Sequence, residues 1–277
     1  MTVARELLSL LEHLALRMKL PKVRALHLPP PDKAGTKDGE FCALELDDGS
    51  MGLGYVLLDD TLMQLLNGPQ RSELVGADAL AVARRYAESD GLWRTLGYTA
   101  VCALTRSFFD RTGFVPDASA DSIGMMNPVP GDHIGMVGHF NPLIPRIIQS
   151  GAQLTVAELK AELAGDWDGY RVTLDVAELA DCNKVLSTSS VMLNDTLDLI
   201  LQHSRNARYF ALVGPGAGCL PDPLFERGVT LLGGTWITDR EGFRASLVEG
   251  ESWSRYAHKY ALLRQDYPGF DALLGRL

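Results

Sequence analysis

The sequence predicts an α/β protein in two halves, an N-terminal α+β unit followed by a unit built on a parallel sheet in the manner of nucleotide-binding folds. Three observations predict it. The first 115 residues run helix, hairpin, helices. A stretch holding Pro116, Pro128 and Pro130 then interrupts the pattern as a linker does. Beyond it, short apolar strands alternate with helical segments, the signature of a parallel sheet with helices on its faces. A length of 277 residues fits two domains at about 150 residues each. The expected boundaries are 1–115 and 116–277.

In the first half, residues 3–18 form an amphipathic helix. Leu7, Leu11, Leu14, Ala15 and Met18 recur at spacings of three and four, and Pro21 stops it. Pro29-Pro30-Pro31 and the polar run Asp32 to Gly39 make a loop. Phe41 to Leu46 and Met51 to Leu58 pair as a hairpin around Asp47-Asp48-Gly49-Ser50, where the Asp-Gly step is the turn signal. Residues 72–110 are helical in two pieces, Ala77 to Tyr86 and Leu92 to Phe109, parted at Ser89-Asp90-Gly91.

In the second half, His133 to Val137 is a strand and Asn141 to Ser150 a helix. Gln153 to Ala157 is the second strand, and Val176 to Ala180 a short helical or turn segment. Lys184 to Leu186 is the third strand, followed by a helix from about Met192 to Gln202. Tyr209 to Val213 is the fourth strand, with further strand pieces at Val229 to Leu232 and Thr235 to Thr238.

The net charge of −9, from 35 acidic and 26 basic residues, argues against a nucleic-acid-binding face. No uncharged apolar run is long enough to span a bilayer, and Glu6 and Glu12 break up what a signal peptide would need at the start. The four cysteines, Cys42, Cys102, Cys182 and Cys219, form no Cys-x-x-Cys pair. The expected setting is therefore a reducing cytoplasm, with no membrane and no nucleic acid as partner. A homodimer is the expectation from symmetry statistics alone.

Open parallel sheets bind ligands outside the carboxyl ends of their strands, so the residues just after each strand are the site candidates. After the first strand, Gly138-His139-Phe140-Asn141-Pro142 offers a tight glycine turn and free N–H groups suited to an anion, although the full G-x-G-x-x-G is absent. His139 is a candidate metal ligand or proton carrier, or a packed imidazole. After the second strand stands Glu158, at the offset of a ribose-binding acid; it can also ligate a cation or begin a helix. After the third come Ser187-Thr188-Ser189-Ser190 and Asn194-Asp195-Thr196. Capping explains one of those hydroxyls, and the others suit an oxyanion or carboxylate. After the fourth, Gly214-Pro215-Gly216-Ala217-Gly218-Cys219 suggests close approach of the backbone to a ligand, with Cys219 a candidate thiolate.

Taken together these motifs resemble a family of uncharacterised proteins named for heavy-metal chelation. The resemblance runs through Val137-Gly138-His139-Phe140, Thr188 to Asp198, Gly214-Pro215 and Gly228 to Asp239. In the first half it rests on Asp48 to Gly54 and Leu96 to Ala100. It implies an enolase N-terminal-like domain joined to a Rossmann-like domain, with a pocket for a metal or anionic ligand where the two meet. The chain departs from the family pattern with Ser189 and Asp195 in place of glycines. Gly216 and Ala217 likewise stand where Ser and Thr follow Gly-Pro.

The expected function is binding or handling of a transition metal or metal-related small ligand in that pocket. Its candidate ligand-binding residues are Gly138, His139, Phe140, Glu158, Thr188, Ser189, Ser190, Asn194, Thr196, Gly214 and Pro215. The candidate metal ligands are His139, Glu158 and Cys219, since imidazole and thiolate suit transition ions. Two alternatives stand beside it. One is an enzyme acting on an anionic or nucleotide-like small molecule, with His139 or Glu158 as general acid or base. The other is a non-catalytic scaffold, motivated by the lack of a complete catalytic motif.

Overall fold

A computed structural model describes residues 1–36, 39–119 and 125–277. Parts of the expected Asp32–Gly39 loop and of the 116–130 linker lie outside those residues.

The first half is built around a long central helix. Helix α1, Val3–Arg17, starts at Thr2, whose hydroxyl accepts the Arg5 N–H, and buries Val3, Leu7, Leu11 and Leu14 on one face. Strand β1, Val23–His27, was not expected; it is short and lies between prolines. It pairs antiparallel with β2, Phe41–Leu46, which pairs in turn with β3, Met51–Tyr55. The expected hairpin is therefore two of three strands, and it ends at Tyr55 rather than Leu58. Helices α2 (Thr61–Asn67) and α3 (Gln70–Glu73) follow. Next come α4 (Ala79–Glu88), capped by Asp78, and α5 (Gly91–Thr112), ended by Gly113 in the left-handed region. Helix α5 is buried on every face from Thr95 to Thr105, so apolar and small residues occupy all sides there. It packs on α4 and on β2–β3 so closely that a Cβ at Gly52 would lie 2.3 Å from the α5 backbone.

The second half is an eight-stranded sheet. Its strands in chain order are β4 (His133–Val137), β5 (Gln153–Ala157), β6 (Gly165–Trp167), β7 (Tyr170–Thr173), β8 (Lys184–Thr188), β9 (Tyr209–Val213), β10 (Leu231–Ile237) and β11 (Ala257–Leu263). The spatial order is β11-β10-β9-β8-β4-β5-β7-β6. Strands β7, β5, β4, β8, β9 and β10 are mutually parallel, while β6 and β11 close the two edges antiparallel. Chain order reverses between β4 and β8, as in doubly wound sheets. The connecting helices are α6 (Ile144–Gln149), α7 (Leu197–His203), α8 (Asp222–Phe225) and α9 (Arg240–Glu249), with α10 (Phe270–Leu274) near the end.

Several bounds differ from expectation. The two strand pieces at 229–238 are one strand, β10, which runs through Gly233-Gly234. Helix α6 begins at Ile144, so Pro145 rather than Pro142 sits in its first turn. The third strand extends through Ser187 and Thr188. Residues Ser189–Met192 form a 3-10 turn, and α7 starts five residues later than expected.

One contiguous apolar core joins the halves. Leu96, Val101 and Leu104 of α5 belong to the same buried cluster as Val185, Leu212, Cys219 and Leu224. A second cluster, including Ile134, Met136, Ile147 and Val156, fills the other face of the sheet under α6. At the amino edge the Asp132 carboxylate, nearly fully buried, meets Lys184 at 2.6 Å and Arg208 at 2.5 Å.

Candidate functional site

The carboxyl ends of β4, β5, β8 and β9 open into a cavity of about 600 Å³, roofed by the β2–β3 side of the first half. All of the expected ligand-binding residues line it. Gly138, His139 and Phe140 come from the turn after β4, and Glu158 from the end of β5. Thr188, Ser189, Ser190, Asn194 and Thr196 come from the segment between β8 and α7, and Gly214 and Pro215 from the end of β9. The first half adds Glu40, Phe41, Tyr55, Leu57 and Leu58, and Lys160 sits on the rim. Sequence reasoning passed over these, because strand-end logic does not say what lies across from a strand end. The hairpin-to-helix segment after Tyr55 was the available signal: its leucines leave the strand pattern without joining a helix.

Two glycines are required where they stand. Gly138 has φ +86°, and a Cβ there would lie 3.0 Å from the Thr188 methyl. Gly214 has φ +145°, and a Cβ there would lie 2.3 Å from the Ser189 hydroxyl. Ser189 thus packs against the bare face of Gly214.

The turn after β4 is not the open anion cradle expected. The His139 N–H donates to Glu158 Oε2 at 3.1 Å, and the N–H groups of Phe140, Asn141 and Leu143 donate to carbonyls within the turn. Glu158 Oε1 also accepts from the N–H groups of Leu159 (2.8 Å) and Lys160 (3.4 Å). The chain's own carboxylate already occupies the amides, so Glu158 clasps the β4 and β5 turns together. The His139 Nε2 lies 3.2 Å from the Tyr170 hydroxyl, and its ring sits beside Trp167 and Tyr170 of the β6–β7 hairpin at 6.3 and 6.0 Å. Trp167 stacks on Tyr170 at 5.9 Å and stays half exposed. That hairpin escaped the sequence reading because Gly165 to Gly169 is polar and glycine-flanked, like a loop.

The hydroxyl cluster divides by role. Ser187 is fully buried in β8, and its hydroxyl turns to a backbone carbonyl. Thr188 caps the 3-10 turn through the Ser190 N–H and meets the Ser190 hydroxyl at 3.1 Å. Asn194 Oδ1 accepts from the Thr196 hydroxyl at 2.6 Å, leaving the Asn194 amide N–H groups for other partners. Tyr55 has its phenol pKa raised by burial and by the Glu40 charge, so it stays a neutral donor.

The glycine loop differs from expectation beyond Pro215. Gly218 approaches the first half, where a Cβ would meet Cys102 of α5 at 3.5 Å, while a Cβ at Gly216 would lie 3.5 Å from the Ser189 hydroxyl and 3.7 Å from the Leu53 carbonyl. The Tyr98 hydroxyl donates to the Gly216 carbonyl and the Tyr260 hydroxyl to the Ala217 carbonyl, both at 2.7 Å. Cys219 points into this core and does not line the cavity. Burial pushes its thiol up to about 12, so it is neutral at physiological pH. The expected trio His139, Glu158, Cys219 is thus not brought together. Among the described residues no group of three or more His, Cys, Asp or Glu is placed to hold a metal ion.

Fold and cavity define the class: an α/β protein whose doubly wound sheet presents a polar strand-end cavity beneath an antiparallel α+β unit. A family model described as "Putative heavy-metal chelation", DUF364, matches residues 121–264, and the chain belongs to that family. The description supports a metal-related binding role. An uncharacterized protein of Methanocaldococcus jannaschii is 29% identical over 150 residues, covering 53% of this chain and 55% of that protein, so the match spans about half of either. Crystal structures of DUF364 proteins of unknown function share the fold over both halves. The one from Desulfitobacterium hafniense has a TM-score of 0.70 at 22% identity, covering 95% of this chain and 98% of its own. The one from Pyrococcus horikoshii has a TM-score of 0.67 at 19% identity, covering 94% and 97%. Among the described residues no helix is long and apolar enough to cross a membrane.

Proposed function

We propose that the protein binds a metal ion already held in a small chelator, in the cavity between an α+β unit of residues 1–115 and a Rossmann-like unit of residues 116–277. The observation that carries this reading is the donor set. A bare transition ion needs three or four protein donors within about 2.0–2.3 Å of one point. The cavity offers His139, which is shared with Tyr170, Glu158, which is held by backbone amides, and Glu40 from the first half, and among the described residues no three such donors gather at one point. It is rich instead in neutral hydrogen-bonding groups, Thr188, Ser190, Asn194 and Thr196. A chelate supplies its own metal donors and asks the protein for such contacts. His139 is the nitrogen that would complete its coordination or hydrogen-bond its rim. The family description supports the metal-related part, and the four free thiols suit a reducing cytoplasmic setting.

Thermal unfolding in the presence of nickel, copper or iron, each alone and as its citrate complex, tests the reading. Complexes at about a hundred times the dissociation constant are expected to stabilise the fold by about 2.7 kcal/mol. The Asn194→Ala, Ser190→Ala double variant is expected to lose that response. Equal stabilisation by the bare ions, undiminished in the double variant, would refute the proposal.

A further inference from the structure

Beside the strand-end cavity lies a second chamber of about 730 Å³. The two share Glu40, Phe41 and Pro215 as a common wall. The volume falls within the roughly 300–1,000 Å³ of small-molecule sites. Apart from Pro215, no residue singled out from the strand ends reaches it.

Its walls are of two kinds. On one side Phe41 belongs to an apolar cluster with Ile237, Phe243 and Leu247, and Trp253 and Ala257 pack against that cluster while remaining half exposed. The Trp253 ring is held from behind by Phe243 at 5.1 Å between centroids. A braced, half-exposed indole in a concave apolar site offers a large flat contact with little entropy left to lose. On the other side β11 contributes His258 and Lys259, with Thr235 of β10 directly across from Lys259 in register. Lys259 is exposed, and among the described residues no acid forms an ion pair with it. The arginines of the neighbouring polar surface, Arg24, Arg106 and Arg240, each have one.

We propose that this second chamber binds a small organic anion with an apolar body, an aromatic or branched aliphatic acid, its ring or chain against Phe41 and Trp253 and its anionic end at Lys259. An apolar wall facing a cation that pairs with no acid among the described residues suits such a molecule over a neutral hydrocarbon, and the Glu40 carboxylate on the shared wall directs the anionic end toward Lys259. The claim stands apart from the metal-chelate reading, since Trp253 and Lys259 line only the second chamber and the ligand carries no metal.

Titration of the full-length protein with anilinonaphthalene sulfonate, an apolar anion whose emission rises on binding, tests it. The expected result is saturable binding of one probe per chain. Lys259→Glu is expected to weaken it by roughly tenfold, the loss of one charge-assisted contact. Trp253→Leu is expected to weaken it too, while Lys160→Glu on the rim of the first cavity leaves it unchanged. Lys259 is exposed on an edge strand, so that variant remains informative if Trp253→Leu fails to fold. No binding by the wild-type protein overturns the proposal. So does binding by Lys259→Glu as tight as wild type, or binding lost through Lys160→Glu instead.

Discussion

Glu158 shows how one side chain decides what a strand-end turn can do. From the sequence it was a ribose-binding acid, a cation ligand or a helix starter. In the folded chain its two oxygens take three backbone N–H groups, two from the residues that follow it and one from His139 across the β4–β5 edge. Removing an acceptor aimed at a backbone N–H costs more than the bond itself, because the donor is left facing the wrong group. Glu158→Gln keeps one acceptor and puts an amide NH₂ against an N–H. It is expected to lower stability by about 1–2 kcal/mol in urea unfolding, and to shift the His139 backbone amide resonance. Gly214 is constrained more tightly. Gly214→Ala would set a methyl 2.3 Å from the Ser189 hydroxyl at φ +145°. A loss of about 1–3 kcal/mol is expected, with Ser189→Gly beside it recovering the steric part and leaving the backbone part.

At the scale of elements, the β9 loop is an anchor more than a cradle. Its first two residues reach the cavity; the rest are tied to the first half by Tyr98 of α5 and to the edge of the larger sheet by Tyr260 of β11. Tyr98→Phe leaves the Gly216 carbonyl with only the weak, long contact from the Cys102 thiol and is expected to cost about 1–3 kcal/mol. The same packing silences the thiols. All four cysteines are buried, and burial pushes Cys42, Cys182 and Cys219 up to about 12. The native protein is therefore expected to show no rapidly reacting thiol toward an aromatic disulfide reagent at pH 8, and four on unfolding. A fast native reaction abolished by Cys219→Ser would restore Cys219 as a candidate ligand. Elements were legible in proportion to their burial. Strands β4, β5 and β9 lie at the bounds the sequence implied, because a strand covered on both faces is an uninterrupted apolar run. Strands β1, β6, β7 and β11 were missed because they lie at or near sheet edges, where polar and glycine residues are tolerated.

At the scale of the molecule, two sheets share one core, and the amino edge of the larger sheet is closed by the Asp132, Lys184, Arg208 cluster. Burial alone would raise the Asp132 pKa. The hydrogen bonds from Lys184 and the Val129 N–H, with the charges of Lys184 and Arg208, outweigh it and lower the pKa. The stabilisation from Asp132 is therefore fully present above the unfolded aspartate pKa of about 3.9, and is lost as pH falls through the lower folded value. Asp132→Asn is expected to cost about 3 kcal/mol at pH 7, with the difference from wild type shrinking below about pH 4 in acid unfolding. The same cluster ties down the linker, since Lys184 also donates to the carbonyls of Met126 and Asn127.

By itself the sequence determined the order of the buried elements, the parallel sheet, and the strand-end residues that line one cavity. These are consequences of local hydrophobic periodicity and of where a parallel sheet keeps its carboxyl ends. Only the tertiary structure decided the chemistry of that cavity. It turned the His139 amide toward Glu158, drew Cys219 into the core beside Tyr98, and brought Phe41, Tyr55 and Leu57 across from the other half. Which groups remain free for a ligand is a matter of which partners reach them through space. Spacing along the chain carries no record of contacts between residues a hundred positions apart.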